Sequence, residues 1–386
     1  MKLSVLLPTR NRLELLISAI ETVRRQSVQD WELVISDNAS DQDIRGHVDS
    51  LADERIRYHR TDRFVPVTDN WNAALERSTG DYIVMLGDDD GLLPGYIEAI
   101  AQLVDRFDGP DVIYTSALLL TFPGVTPEHP DGYVMDYGLA PFLQDVHEPY
   151  LLGRDVALAM AHGAMNFRLT FGFNSQFLVV SRRFVASLAA HGPFYQSPFP
   201  DYYSSIVAML EARSIVVEPR QRVVIGVSPK SYGFFTTNKR DEEGRAFLAA
   251  GDAETDPALA GVMLPGSNIN IGWLASMEAI AREYGVEHRL SVNHARFRRL
   301  QIAYVYEQHL QGRVGAEEIA DFESRLRPVE RAWALVARGA GGALPLRVRR
   351  HANHLLIRSL GQFPAWYPPR DEGRYRSILD VFEANA

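Results

Sequence analysis

Short apolar strands alternate with amphipathic helices through the first 115 residues, and this alternation restricts the fold more than any other feature of the chain. Five runs, four of them rich in Val, Ile and Leu, have the length of strands: residues 2–7, 31–36, 56–59, 82–86 and 111–121. Between the first two, Leu13, Leu16, Ile20 and Val23 recur at helical spacing. Strands separated by such helices are joined by right-handed crossovers. We therefore predict an α/β fold with a Rossmann-like, mainly parallel central sheet flanked by helices.

The rest of the chain divides into an α/β continuation and a helical region. Residues 122–150 are rich in Pro, Gly and Asp and predict a long loop. Strand-like and helix-like runs then continue at 176–181, 182–190, 200–213 and 215–227. Helical patterns alone follow, at 271–284, 295–310, 317–326, 346–360 and 375–382. We predict one domain over residues 1–235, with halves 1–115 and 116–235, and a mainly helical C-terminal region over 236–386.

Composition excludes several classes of function. The 386 residues carry 40 basic and 49 acidic side chains, a net charge of −9, which disfavours a nucleic-acid partner. The absence of cysteine excludes disulfides, thiolate metal sites and cysteine nucleophiles. No N-terminal signal peptide and no run of ~20 apolar residues is evident. We expect a cytoplasmic protein, which is compatible with peripheral attachment at the inner face of the membrane.

Three polar segments directly follow predicted strands, at residues 8–12, 37–41 and 87–91. In open α/β sheets, ligands bind beyond the carboxyl ends of the strands. The first segment offers helix N-terminal amides and the guanidinium groups of Arg10 and Arg12 to an anion. Asp37 is suited to a base N–H or a ribose hydroxyl, or alternatively to capping the next helix. The two arginines are equally compatible with a solvated face.

Asp88, Asp89 and Asp90 are the sharpest chemical feature of the sequence. Two carboxylates ~4 Å apart repel by roughly 4 kcal/mol at an effective dielectric constant of 20. A divalent cation removes that repulsion, and Mg²⁺ or Mn²⁺ prefers such oxygen ligands together with substrate phosphates. The alternative is a solvated acidic turn in which Asp90 favours the following helix N-terminus.

These segments resemble successive motifs of the family 2 glycosyltransferases, which have the GT-A fold. The resemblance lies in Ser4–Arg12, Asp37–Asp41, Asn70–Asn72 and Thr79–Asp90. It is specific over residues 1–115, weaker to about 235 and absent beyond. It implies a glycosyltransferase of the hexosyltransferase class that moves a sugar, with inversion, from a nucleoside diphosphate sugar to a hydroxyl acceptor, with Mn²⁺ or Mg²⁺ on the diphosphate. A UDP-sugar is the favoured donor, and the acceptor would be a carbohydrate or a lipid-linked molecule in polysaccharide or glycolipid biosynthesis.

The resemblance also implies roles for individual residues. Asp88 would bind the ribose and Asp89 the metal, with Asp90 a further metal ligand because Gly87 occupies the usual first acidic place. The other implied donor-binding residues are Pro8, Thr9, Arg10, Asn11, Asp37, Asn72 and Lys230.

An inverting transfer needs a general base to accept the proton of the acceptor hydroxyl. The family supplies a carboxylate at a helix start about a hundred residues after the metal motif, where this chain has Asp201. An ordinary helix N-cap is the alternative for Asp201. Lys230 belongs to a segment, 228–233, in the place of a donor-closing loop, and a solvated loop lysine is its alternative.

Arginines and apolar residues alternate near the C-terminus, as in Arg347–Arg350 and Leu355–Arg358, with aromatic residues at Phe363, Trp366 and Tyr367. Such a helix can lie on an anionic membrane, pack on its own domain or form a homodimer. Two other functions are compatible with the whole chain: a non-catalytic nucleotide- or sugar-binding module, and a nucleotidyltransferase. The second should have a phosphate loop rich in glycine and lysine, which the N-terminus lacks.

Overall fold

The computed structural model describes residues 1–126, 128–138, 140–232, 234, 259, 261–264, 271–338, 344–361 and 369–386. The strands of these residues are β1 Leu3–Thr9, β2 Trp31–Asp37, β3 Ile56–Arg60, β4 Tyr82–Met85, β5 Gly91–Leu92, β6 Val112–Thr121, β7 Tyr133–Tyr137, β8 Tyr150–Leu151, β9 Leu178–Ser181 and β10 Ile215–Val227. Their helices are α1 Leu13–Arg24, α2 Ile44–Ser50, α3 Val67–Glu76, α4 Tyr96–Arg106, α5 Arg154–Met165, α6 Arg182–Ser187, α7 Pro200–Glu211, α8 Ile271–Tyr284, α9 His294–Leu310, α10 Ala316–Ser324, α11 Pro328–Ala337, α12 Leu346–Ser359 and α13 Ile378–Ala384. Short 3₁₀ turns lie at Pro141–Leu143, Ser175–Phe177 and Ala189–His191.

The described strands form one sheet in the order β3-β2-β1-β4-β9-β6-β10-β5, with β7 beside β6 and β8 beside β10. Strands β1 to β4 are mutually parallel, as the alternation of strands and helices predicts. Strand β9 is antiparallel to both of its neighbours, β4 and β6, and β6 is again parallel to β10. The predicted α/β fold with flanking helices and a helical C-terminal extension is confirmed.

The register brings the polar segments together. Thr9 pairs with Asp37 across β1 and β2, and the Leu86 N–H donates to the Leu6 carbonyl at 2.8 Å, just beyond the end of β4. Because β10 runs in the same direction as β4, its last residue, Val227, lies at this edge too. We call this the carboxyl edge of the sheet.

The chain forms two compact units. The first contains residues 1–159, 171–249 and 365–386, and the second contains 160–170 and 250–364. The predicted boundary between residues 235 and 236 lies outside the described residues. The sequence division differs at its C-terminal end, because α13 belongs to the first unit. There Ile378, Val381 and Phe382 are buried, the first two in an apolar cluster with Leu93 and Val224.

The second unit is helical where it is described. Its core includes Ile302, Tyr306, Phe322 and Leu326, buried among α9, α10 and α11. A buried ion pair from Arg298 to Glu330, at 2.5 and 2.9 Å, joins α9 to α11. The helix patterns at 271–284 and 295–310 match α8 and α9 closely, whereas the sequence prediction omitted α11. Among the described residues, no helix combines the length and apolarity that a membrane span requires.

Candidate active site

A pocket of about 200 Å³ opens at the carboxyl edge of the sheet. The ends of β1 and β4 supply its floor, and residues near α3, β9 and β10 supply its walls. Its lining residues are Pro8, Thr9, Arg10, Arg12, Asn38, Phe64, Val67, Asn70, Trp71, Gly87, Asp88, Asp89, Asp90, Gln176, Ser231 and Tyr232. Six of the predicted site residues therefore lie together: Pro8, Thr9, Arg10 and the three aspartates.

Asp88 is held by two neighbours from the β1 end. Its carboxylate accepts from the Thr9 hydroxyl at 2.7 Å and from the Arg12 guanidinium at 2.8 Å. Both members of the ion pair are buried, with side chains less than a tenth exposed. Burial raises the pKa of Asp88, and the charge of Arg12 opposes that rise. Asp88, which lines the pocket, is thus already paired with a cationic side chain, that of Arg12.

Asp90 is committed to the protein backbone and to Gln176. Its carboxylate accepts from the N–H of Gly87 at 2.9 Å, from the N–H of Gly226 at 2.8 Å and from the Gln176 amide at 2.5 Å. Burial, followed by the charge of Asp89, raises the pKa of Asp90 well above its usual range. Through these contacts Asp90 links the acidic turn to β10.

Asp89 is the carboxylate best placed for a cation. One oxygen, Oδ2, accepts from the hydroxyls of Ser228, at 2.9 Å, and Ser231. The other oxygen, Oδ1, accepts no hydrogen bond in the part of the chain that the structure describes. Mg²⁺ and Mn²⁺ often use only one or two protein carboxylates and complete their shell with phosphate oxygens. Asp89 fits that arrangement, although the described residues contain no group of three or more acidic or histidine side chains that could hold a metal by themselves.

The pocket walls are partly aromatic. The Arg10 guanidinium lies 4.2 Å from the centroid of the Phe64 ring and donates to the Asn38 carbonyl at 2.6 Å. Trp71 and Tyr232 also line the pocket. Flat apolar faces with a few polar groups are typical of pockets for a planar heterocycle.

Four predicted donor-binding residues lie beside this pocket and do not line it. Asp37 is buried and accepts from the Ser40 N–H at 3.0 Å and the Tyr58 hydroxyl at 2.6 Å. The other three also bond to the protein: the N–H of Asn11 to the Ser40 hydroxyl, the Asn72 amide to the Tyr195 carbonyl, and the Lys230 ammonium to Glu14. Their roles toward a donor stay predictions.

Asp201 is the second residue of α7, after Pro200, and Phe199 takes the N-cap position. Its carboxylate accepts from the Tyr202 N–H at 3.0 Å, within the first turn of the helix, and Asp201 is therefore not the N-cap that the alternative proposed. Burial raises the pKa of Asp201 to about 7. Burial, together with the charge of Asp201, also raises the pKa of Tyr137 on β7 to about 12. Asp201 does not line the pocket, but Phe199 packs edge-on against Tyr232 at 5.6 Å between ring centroids.

Several residues of the site were absent from the sequence prediction. Ser228 lies in the predicted donor-closing segment 228–233, in which only Lys230 was given a role, although Ser228 directly follows β10 and the strand-end rule selects it as well. Gln176 precedes β9, whose antiparallel direction places the start of the strand at the carboxyl edge. The sequence carries no signal for that reversal. Phe64 and Trp71 have apolar side chains, which periodicity alone assigns to packing.

Part of the chain is similar to known proteins. Residues 4–127 match the family described as Glycosyl transferase family 2. A glucosyltransferase of Campylobacter jejuni, named as acting on GalNAc(5)-diNAcBac-PP-undecaprenol, is 36% identical over 104 residues, which cover 26% of this chain and 34% of the relative. A PGL/p-HBAD biosynthesis glycosyltransferase of Mycobacterium bovis is 27% identical over 120 residues, 30% of this chain and 46% of the relative.

The chain thus spans about a third of the length of the first relative and less than half of the second. Among solved structures, S. aureus TarS 1-349 aligns with a TM-score of 0.45 and 15% identity, over 93% of this chain and 92% of that chain. Both curated relatives match only part of this chain.

Proposed function

This chain carries a family 2 glycosyltransferase domain with the GT-A fold, and we propose from that premise that it transfers a sugar from a nucleoside diphosphate sugar to a hydroxyl acceptor, with inversion. The observation that carries the proposal is the pocket at the carboxyl edge, where Asp88 and Asp89 lie beside Arg10 and Arg12 within the segment that matches the family. The guanidinium groups suit an anionic ligand, and the carboxylates suit a cation that arrives with it.

The proposed donor has a base and ribose on one side and a diphosphate on the other. Phe64, Trp71 and Tyr232 supply flat surfaces for the base. Asp88, whose carboxylate is held by Thr9 and Arg12, would accept a further hydrogen bond from a ribose hydroxyl. We favour a UDP-sugar as the donor.

Asp89 would hold Mn²⁺ or Mg²⁺ through its Oδ1 atom, together with oxygens of the donor diphosphate. Such a cation stabilises the negative charge that develops on the leaving diphosphate. The hydrogen bonds of Asp90 favour a supporting role for it, since both of its oxygens already accept from the protein.

Asp201 would act as general base. Its carboxylate takes the proton from the acceptor hydroxyl while that oxygen attacks the anomeric carbon, and the bond from this carbon to the diphosphate breaks. The pKa of about 7 supports this role, because an efficient base has a pKa near the working pH. The charge of Asp201 raises the pKa of Tyr137 on β7, and on this ground we propose β7 as a candidate acceptor surface.

The acceptor class rests on the relatives. One is named for GalNAc(5)-diNAcBac-PP-undecaprenol, and the other is named for PGL/p-HBAD biosynthesis. We propose a saccharide carried on a lipid diphosphate as the acceptor.

Incubation of the protein with a panel of UDP-, GDP- and dTDP-sugars, with and without Mn²⁺, tests the proposal. We expect release of the nucleoside diphosphate from one donor, stimulated by Mn²⁺ and by a lipid-linked saccharide. Asp89→Asn should abolish the stimulation by Mn²⁺. The matched control is Asp62→Asn, an equal change of charge at an exposed residue between β3 and α3.

If nucleotide binding is independent of metal and no donor is consumed with any acceptor, the enzymatic function is wrong. A binding module without turnover would then be the better description.

A further inference from the structure

Helix α11 presents an apolar face to solvent. Val329, Leu335 and Val336 are 73%, 62% and 56% exposed, and the helical spacing places them on one side with Ala332. The opposite side faces inward, where Ala334 and Ala337 are buried in the core of the second unit. A cluster of large apolar side chains that are this exposed marks a surface that binds a partner or a membrane.

Helix α12 repeats the arrangement. Val348 and Leu355, seven residues apart, lie on the same exposed side and are 47% and 50% exposed. The inner side is fixed by Asn353, whose buried amide donates at 3.1 Å to the carbonyl of Ala303 on α9 and to that of Ala337 on α11. The helix therefore cannot turn its outer apolar residues inward without losing these bonds.

Arginines border both apolar faces. Arg331 and Arg338 flank the face of α11, and Arg347 and Arg358 flank that of α12, all four exposed. The acid of α11, Glu330, is buried against Arg298, and the surface acid Glu323 lies 4.0 Å from Arg338. We call Val329, Leu335, Val336, Val348 and Leu355, together with the four flanking arginines, the basic apolar surface.

The charge of this region contrasts with that of the chain. Residues 331–370 contain seven arginines and no aspartate or glutamate, in a protein with nine more acidic than basic side chains. Apolar residues bordered by arginines are the features by which a surface helix binds a membrane with anionic lipids. A second copy of the same surface would instead bring arginines against arginines, which opposes a symmetric dimer.

We propose that the basic apolar surface docks the second unit on an anionic lipid bilayer. Val329, Leu335, Val336, Val348 and Leu355 enter the region between headgroups and acyl chains, and the flanking arginines contact lipid phosphates. The proposal concerns attachment alone and holds whether or not the first unit transfers a sugar.

Flotation with vesicles tests this docking, using the full chain without donor or metal. We expect binding to phosphatidylcholine vesicles in which about a third of the lipid is anionic phosphatidylglycerol, and little binding to vesicles of pure phosphatidylcholine. The double variant Arg347→Gln/Arg358→Gln should lower the partition coefficient about 30-fold, since each arginine near an anionic surface contributes about fivefold. The matched control, Arg282→Gln/Arg289→Gln, removes the same charge from exposed positions elsewhere in the second unit and should bind like the natural protein.

A second variant separates the apolar contribution. Leu335→Ser/Val336→Ser keeps every charge and changes only exposed side chains, so the helices should keep their circular dichroism while vesicle binding falls. Absence of binding by the natural protein, or equal binding by Arg347→Gln/Arg358→Gln and its control, would overturn the proposal. The proposal would also be overturned if the natural protein bound no vesicles and formed instead a dimer in solution that Leu335→Ser/Val336→Ser dissociates. Because no sugar donor is present, these outcomes leave the glycosyltransferase proposal untouched.

Discussion

Replacement of Asp201 by asparagine should remove sugar transfer and stabilise the protein at the same time. The pKa of this partly buried carboxyl is about 7, against an ordinary aspartate value near 3.9. A folded-state pKa above the unfolded value means that the folded protein binds the proton more tightly. Stability is therefore lost as pH rises from about 4 to about 7, and the loss is complete above that range.

The magnitude follows from the pKa difference. Each pKa unit corresponds to about 1.4 kcal/mol, so ionised Asp201 costs the folded state at most about 4 kcal/mol, and about 2 kcal/mol once its partial contact with water is considered. Asparagine avoids that cost. We expect Asp201→Asn to raise the free energy of unfolding by about 2–4 kcal/mol at pH 8 and to change it little at pH 4.

Urea denaturation across this pH range, measured beside donor binding and transfer, checks the prediction. Donor affinity should be retained and transfer lost. The matched control is Asp155→Asn, which alters an exposed acid at the second position of α5 and should cost at most about 1 kcal/mol through the helix dipole. Retained transfer would refute the role as base, and a gain in stability that is constant with pH would refute the assigned pKa.

Three further changes probe the carboxyl edge and the sheet. Arg12→Met leaves the buried Asp88 carboxylate without its ion-pair partner and should destabilise by about 3–5 kcal/mol in urea denaturation, whereas Arg12→Met/Asp88→Asn should recover most of that loss. Burial opposes ionisation of Glu32, but hydrogen bonds lower its pKa to about 2. Ionised Glu32 therefore contributes up to about 3 kcal/mol to the free energy of unfolding, a contribution that is present above about pH 4.3 and lost as pH falls through 2. Glu32→Gln should flatten the acid denaturation curve in that range. A Cβ at Gly226 would lie 1.8 Å from the Asp89 carbonyl oxygen, so Gly226→Ala should separate β10 from the acidic turn. We expect weaker nucleotide binding in calorimetry, and an unchanged affinity would contradict the role of this close contact.

The sequence was most informative where one strand leads directly to one polar turn. Thr9 and Asp88 come from segments 79 residues apart, yet the rule for parallel strands brought them to one edge, where their side chains meet at 2.7 Å. The same periodicity located the helices of the second unit at 271–284 and 295–310 within one residue of their observed bounds.

Tertiary contacts decided what the sequence could not. Asp37 has the residue type and strand-end position of a ligand-binding group, but Tyr58, from the next strand, takes its carboxylate. Lys230 pairs with Glu14, a partner 216 residues away that no local pattern reveals. The segment predicted as a loop at 122–150 contains β7 because β6 offers it an antiparallel partner. The aromatic residues Phe363, Trp366 and Tyr367 lie outside the described residues.

A crystal structure with UDP and Mn²⁺ tests the central claim most directly. We predict an anomalous Mn²⁺ peak at about 2.1 Å from Asp89 Oδ1, a bond length like that of Mg²⁺ to oxygen, with diphosphate oxygens in the same coordination shell. The uracil should lie against Phe64 or Trp71, and Asp88 should contact the ribose. UDP bound away from the carboxyl edge, or Mn²⁺ bound without Asp89, would contradict the account.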